Sequence, residues 1–573
     1  MFQNNAKTKF KNKAGLYILI ASLVFYFLVK LPFNLSVLCA NSNEGFYFIF
    51  GQHFLNGTHF DPPGRPYLNL YVLFYSLVLK IFGFNTYSIV ALHFIQTLIF
   101  ILIGVLIYNL MKKIIESSVY SSLAVLFWIL FQITPIGQWG NTMELESAFA
   151  LEAEYFVILF SLSSLFFFIN RINNKSIILF STITGLLSVV AFMFKPSGAV
   201  LFLAYCCWFI YIFFFDRRLL DELKINLLFL FVGMVSGILL VNLFIHFVYK
   251  IDLIPYWKYY IFVGSYSTDF VKSQMSIFLS VWNFMTRYVN STGNFIIFLL
   301  TFLSIIWSLI RILFFQYENY YHRVLLPLLA ILSIGNVCAI IAPGGYSSYY
   351  YVLIWPLVAI FLILGLRDIL NHIPVIVRKP TIIITTIIFF FCFYNRLFSI
   401  YPTYLLAAKN NLQLNVFFQP KSFQDPVLIS KNNNDEKRSA VLQTADVINR
   451  LLPDKKDTVY IVNFKNKKQY LPVTIYIYMK RLCSSTAVFD YFYYKNYLSD
   501  RLEILRKDLI SKPPKILILP NVYYLDPWQA EYLSGFLNWI NLYVSQNYNF
   551  KFNLNFSDKS ETQNTIYDVY ERN

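Results

Sequence analysis

Charge is scarce along this chain. Only 13% of its 573 residues are Asp, Glu, Lys or Arg, against about 25% in a soluble globular protein. Cysteine is sparse too: six residues, none at metal-ligand spacing, so no metal centre is expected. The adjacent Cys206-Cys207 lies inside an apolar run and reads as two small buried hydrophobes. No cleavable signal peptide is expected. Lys7, Lys9, Lys11 and Lys13 precede a long apolar run, the pattern of an uncleaved first span with its basic end inside.

Apolar and aromatic residues take the place of charge: 57% of the chain is hydrophobic and 20% aromatic. A spanning helix needs about 20 consecutive apolar residues, and such runs recur. Spans are expected near 15–32, 86–110, 119–135, 148–169, 177–194, 197–215, 226–248, 294–314, 324–342, 351–366 and 381–398. The chain therefore reads as a polytopic α-helical membrane protein with about eleven transmembrane helices. Segment 67–83 is apolar but marginally long, and is expected to lie flat on the outer surface.

The sign of the charges sets the orientation. Lys112, Lys113, Arg171, Lys175, Arg217, Arg218, Lys224, Arg311, Arg323, Arg367, Arg378 and Lys379 all fall on one side when eleven segments cross. The other side has no Lys or Arg between Pro135 and Ser147, or between Pro343 and Tyr351. By the positive-inside rule the N-terminus is cytoplasmic and the chain beyond about residue 400 is extracytoplasmic. The same distribution excludes nucleic acid as the partner behind the net charge of +17: the bases sit in short inter-span loops.

Two domains are expected: 1–400 in the membrane and 401–573 outside. In the second, a helix over 439–452, a buried strand at 458–464, a helix at 500–510, a strand at 515–520 and a helix over 526–545 make an α/β domain. Runs at 551–556 and 565–571 are expected to add edge strands. Residues 249–292 interleave Trp257, Tyr259, Tyr260 and Tyr288 with Lys258, Lys272 and Arg287. They read either as an interfacial helix near anionic headgroups or as an ordinary aromatic belt.

Polar groups collect on the predicted outer face. Glu44, Asp61 and Arg65 fall in the first outer loop and Glu144 and Glu146 in the second, while Lys195 precedes Pro196 at the outer end of a span. Ionisable groups at membrane depth are costly and commonly line a site. Each alone is equally a solvated loop charge.

The order of short motifs is informative. Asn43-Glu44-Gly45-Phe46-Tyr47 is followed by Leu55-Asn56-Gly57, Gly64-Arg65-Pro66-Tyr67-Leu68 and Ile81-Phe82-Gly83. GLLSVVAFMFKPSGAVLF (185–202) and GGYSSYYYVLIWPLVAIF (344–361) come later. This series resembles the GT-C membrane glycosyltransferases, in particular the branch of the protein O-mannosyltransferases and lipid A aminoarabinose transferases. The chain departs from the family at Asn43, where an Asp is usual, at Arg65, near a usual Lys, and at Tyr349-Tyr350, which replaces His-Tyr.

The resemblance implies an inverting hexosyl or pentosyl transferase. Such an enzyme moves a sugar from a polyprenyl-phosphate donor to an acceptor lipid, glycan or protein hydroxyl outside the cytoplasm, with no cofactor beyond the donor. The leaving group is already a phosphate anion, so one general base suffices. Glu44, Asp61 and Glu144 compete for that role. Arg65 and Lys195, with Arg287 third, are the candidates for the donor phosphate. Asn43, Tyr47, Tyr349 and Tyr350 would orient acceptor or sugar. A bacterial inner membrane is the expected location. A transporter or flippase of lipid-linked sugars and a non-catalytic membrane scaffold remain the alternatives.

Overall fold

The computed structural model describes most of residues 2–35, 42–57, 70–133, 152–170, 176–249, 295–341, 352–384, 444–462, 498–521, 527–556 and 565–573, with scattered positions between 252 and 286 and at 387, 476 and 479. By contacts the chain divides into two units. The first comprises Met1–Leu35, His93–His246 and Ser267–Gln413; the second comprises Ser36–Leu92, Phe247–Tyr266 and Leu414–Asn573. Where the sequence suggests one cut near residue 400, contacts group residues 36–92 with the C-terminal domain.

In chain order the helices are α1 (Phe2–Asn34), α2 (Ser42–Leu55), α3 (Leu70–Phe82), α4 (Thr86–Ile115), α5 (Ser118–Ile133), α6 (Ala153–Asn170) and α7 (Ile177–Phe194). A short 3₁₀ turn, Pro196–Gly198, leads to α8 (Ala199–Phe215) and then α9 (Arg217–Phe244), α10 (Phe295–Leu313), α11 (Tyr320–Ile341) and α12 (Trp355–His372). Among the described residues, 8 helices are long and apolar enough to cross a membrane, so the protein is a multi-pass membrane protein. The spans expected at 119–135 and 294–314 coincide with the apolar helices α5 and α10. The span at 381–398 lies mostly outside the described residues. With 13 residues, α3 is about 20 Å long, too short for a hydrocarbon core of about 30 Å.

In the first unit, α7 and α9 meet through glycine. A Cβ on Gly185 would lie 2.1 Å from the Leu230 carbonyl oxygen, and one on Gly233 would lie 2.2 Å from that of Thr182. Small residues let membrane helices approach backbone to backbone, where dispersion rather than the hydrophobic effect holds them. Gly233→Leu is therefore expected to cost about 1–3 kcal/mol or more by overpacking, read as a lowered thermal midpoint in detergent. Wild-type stability would mean that the two helices separate without cost.

Three of the arginines that set the predicted orientation are ion-paired. Arg311 donates to Asp368 Oδ2 at 2.6 Å and to Glu318 Oε1 at 3.0 Å, and Arg367 reaches Glu318 Oε2 at 2.6 Å. Trp307 Nε1 also donates to Asp368, at 3.0 Å. Arg323 grips both oxygens of Asp216, the residue that caps the N-terminus of α9. Burial raises the Glu318 carboxyl, but the hydrogen bonds and charge of Arg367 and Arg311 outweigh it and hold it below its ordinary 4.5. A depressed carboxylate contributes stability above its unfolded pKa and loses it as pH falls through the folded one. Wild-type protein should thus lose stability more steeply than Glu318→Gln below about pH 4.5, a difference that acid titration of the melting midpoint would detect. Parallel acid profiles would remove Glu318 from the account.

In the second unit a four-stranded sheet has the order β1 (Val459–Ile461), β2 (Ile516–Pro520), β4 (Thr565–Arg572), β3 (Tyr548–Phe556). The pair β1–β2 is parallel, and β4 runs antiparallel to both β2 and β3. Two helices, α13 (Leu498–Ser511) and α14 (Pro527–Asn547), fall where the sequence places them, and the helix expected at 439–452 is seen over 444–451. One expectation is corrected. The run at 565–571 is not an edge strand but lies between β2 and β3, because both of its edges are hydrogen-bonded, one to each neighbour, with Tyr567 and Val569 fully buried. That core also contains Ile49 and Phe50 of α2 and Val72 of α3.

Candidate active site

Two predicted site residues can be described with their side chains, and they lie in different units. Tyr47 is on α2, its ring edge-on to Tyr71 at 4.3 Å and tilted against Tyr75 at 5.5 Å. Asn43 and Glu44 occupy the first turn of the same helix. Lys195 is in the first unit. Asp61, Arg65, Glu144, Arg287, Tyr349 and Tyr350 lie outside the described residues.

Lys195 stands where α7 ends, and its sequence neighbours explain why. A residue before proline is driven out of the helical region; Lys195 is accordingly extended, with φ −159° and ψ 143°. Pro196 then starts the short turn at a position needing no donor. The turn closes through the Gly198 N–H, which donates to the Lys195 carbonyl at 2.8 Å. Gly198 must be glycine, since a Cβ there would sit 2.3 Å from the Ala191 carbonyl.

The lysine ammonium donates to Glu154 Oε1. Glu154 is fully buried in the first turn of α6, and its second oxygen, Oε2, has no hydrogen-bond partner among the described residues. The placement suits both charges. The carboxylate is at a helix N-terminus and the ammonium at a helix C-terminus, where the helix dipoles favour each. The Lys195 side chain is 23% exposed and that of Glu154 is wholly buried.

Further buried polar groups gather in the same unit. Lys30, 2% exposed on α1, donates to Gln96 Oε1 at 3.1 Å, and the Gln96 side chain also hydrogen-bonds Tyr155. Asn34 donates to the Thr97 hydroxyl at 2.8 Å. Glu152, 3% exposed, precedes α6 by one residue. Tyr26 stacks on Phe100 at 3.8 Å and Phe100 on Trp128 at 3.6 Å, so aromatic faces border this polar set.

Sequence reasoning passed over Glu152, Glu154 and Lys30. The signal was present: each is an ionisable residue inside or beside a predicted span, at 15–32 or 148–169, and such residues are costly unless partnered. No group of three or more His, Cys, Asp or Glu side chains fit to hold a metal ion occurs among the described residues.

No protein-family model matches the chain, and no curated protein matches its sequence. Solved structures do resemble it. The structure of ArnT from Cupriavidus metallidurans bound to undecaprenyl phosphate superposes with a TM-score of 0.52 at 11% identity, covering 96% of this chain and 97% of that one. An oligosaccharyltransferase from Archaeoglobus fulgidus in the apo form gives 0.49 at 14% identity, over 89% of this chain and 70% of that one. The same organism's AglB in complex with an inhibitory peptide and a dolichol-phosphate gives 0.48 at 14%, with the same coverage. Nearly the whole length of the chain follows the ArnT architecture, and the chain thus has the GT-C fold that its motifs predict.

Proposed function

We propose that the protein is an inverting glycosyltransferase that moves a sugar from a polyprenyl-phosphate donor to a hydroxyl acceptor on the extracytoplasmic face of the membrane. The observation that carries this reading is the buried Glu154–Lys195 pair at the Lys-Pro turn of a GT-C fold. ArnT, whose fold the chain shares, binds undecaprenyl phosphate.

In this reading the acceptor hydroxyl attacks the anomeric carbon from the face opposite the phosphate. The bond from that carbon to the phosphate oxygen breaks, and the phosphate departs with its electron pair. A general base takes the acceptor proton; Glu44 has that role, with Asp61 and Glu144 as its competitors. Lys195 places positive charge on the departing phosphate, and Glu154 holds the ammonium in place. Arg65, with its paired donors, is assigned to the same phosphate, and Arg287 ranks behind it. Asn43 cannot accept a proton at neutral pH, so with Tyr47, Tyr349 and Tyr350 it orients acceptor or sugar by hydrogen bonding.

The test is direct. Purified protein in lipid nanodiscs, supplied with a polyprenyl-phosphate sugar and candidate lipid, glycan or peptide acceptors, should release polyprenyl phosphate and a glycosylated product visible by mass spectrometry. Movement of the intact lipid-linked sugar between leaflets, without bond cleavage, would instead establish the transporter alternative. Donor affinity should fall more for Arg65→Ala than for Arg65→Lys, because lysine keeps the charge but loses the fork. A tag after Asn573 is expected to be cleaved by added protease in intact spheroplasts, as the assignment of the α/β domain to the extracytoplasmic side of a bacterial inner membrane requires.

A further inference from the structure

We propose that the C-terminal α/β domain is a positioning element for the helix that carries Asn43 and Glu44, acting through a hydrophobic core that the two share. The inference rests on the assignment of Glu44 to the reaction. It concerns the second unit alone.

With 14 residues, α2 is of a length that is marginal as an isolated helix, so its position must come from what it touches. One side is held by α3. A Cβ on Gly51 would lie 3.0 Å from the Ser76 amide nitrogen, the Ser76 hydroxyl donates to the Gly51 carbonyl at 3.2 Å, and Tyr47 packs tilted and Phe48 edge-on against the Tyr75 ring. The other support comes from far along the chain. Ile49 and Phe50 of α2, with Val72 of α3, are at most 3% exposed. They belong to one buried cluster with Val459–Ile461 of β1, Ile516–Leu519 of β2 and Leu533, Phe536 and Ile540 of α14.

The lever is short. Ile49 and Phe50 follow Glu44 by five and six residues, about 8–9 Å along a helix axis. A loosened core would therefore let the Glu44 end shift by a comparable fraction of any tilt. Misplacing a reacting group by about 1 Å can cost 10²-fold in rate. The α/β domain thereby acts on the reaction without supplying a reacting group.

The experiment is hydrogen exchange by mass spectrometry on the full-length protein in nanodiscs, comparing wild type with Leu533→Ala and Ile518→Ala. Both substitutions empty the core more than 400 residues from α2 in sequence. Amides of 42–55 are expected to exchange at least tenfold faster, together with those of the strands. Turnover should fall about tenfold at unchanged donor affinity, and Leu533→Met should retain both wild-type values. Strand amides that accelerate while those of 42–55 keep their wild-type rate would overturn the positioning role. Normal turnover by Glu44→Gln, with exchange still coupled, would overturn only the base assignment.

Discussion

Glu44→Gln is expected to lower transfer by about 10²–10⁴-fold, the usual loss when a general base is removed, while donor binding stays intact. The change keeps the shape and hydrogen-bonding capacity of the side chain but removes its ability to take a proton. Its position supports the choice, since Glu44 opens a helix that α3 and the α/β core clamp, and a base must be held within hydrogen-bond reach of the hydroxyl it deprotonates. Single-turnover rates with preloaded donor separate this from a binding defect. Near-normal turnover would transfer the role to Asp61 or Glu144.

Loss of the Glu154–Lys195 pair is expected to have the second largest effect, and the two partners should fail differently. Glu154→Ala removes the carboxylate that faces the ammonium but leaves a lysine side chain that is partly exposed, so its loss of stability should be the smaller of the two. Lys195→Met leaves a carboxylate at 0% exposure facing an apolar group, and breaking a buried pair in this way typically costs about 3–5 kcal/mol. The double variant Glu154→Gln/Lys195→Met carries neither charge and should be more stable than either single change. Stability and binding then part company. If Lys195 meets the donor phosphate, the double variant regains stability but binds polyprenyl phosphate about 10–100-fold less well, the worth of one charge-assisted hydrogen bond. A double variant that recovers both stability and wild-type donor affinity would make the pair a structural strut.

Local chemistry decided most of the fold. Long apolar runs have one low-energy form in a bilayer, because each backbone N–H and C=O must be satisfied within its own helix. That is why α1, α4, α6, α7, α8, α9, α11 and α12 could be read without coordinates. The Lys-Pro-Ser-Gly turn was legible for a similar reason: proline dictates the conformation of the residue before it wherever the chain goes next. The strands and helices of 459–547 followed from periodicity and turn residues alone.

Pairings at long range were decided only by the tertiary structure. Nothing near Glu154 in sequence announces that its partner is Lys195, 41 residues on, nor that Lys30 meets Gln96 across 66. Each pairing exists because two helix faces are pressed together and a buried charge is costly until something opposes it. The interior place of β4 has the same origin, since strand order depends on which edges meet and not on the composition of the strand. So does the union of α2 with the α/β core: apolar residues specify that they must be covered, while the fold alone specifies by what.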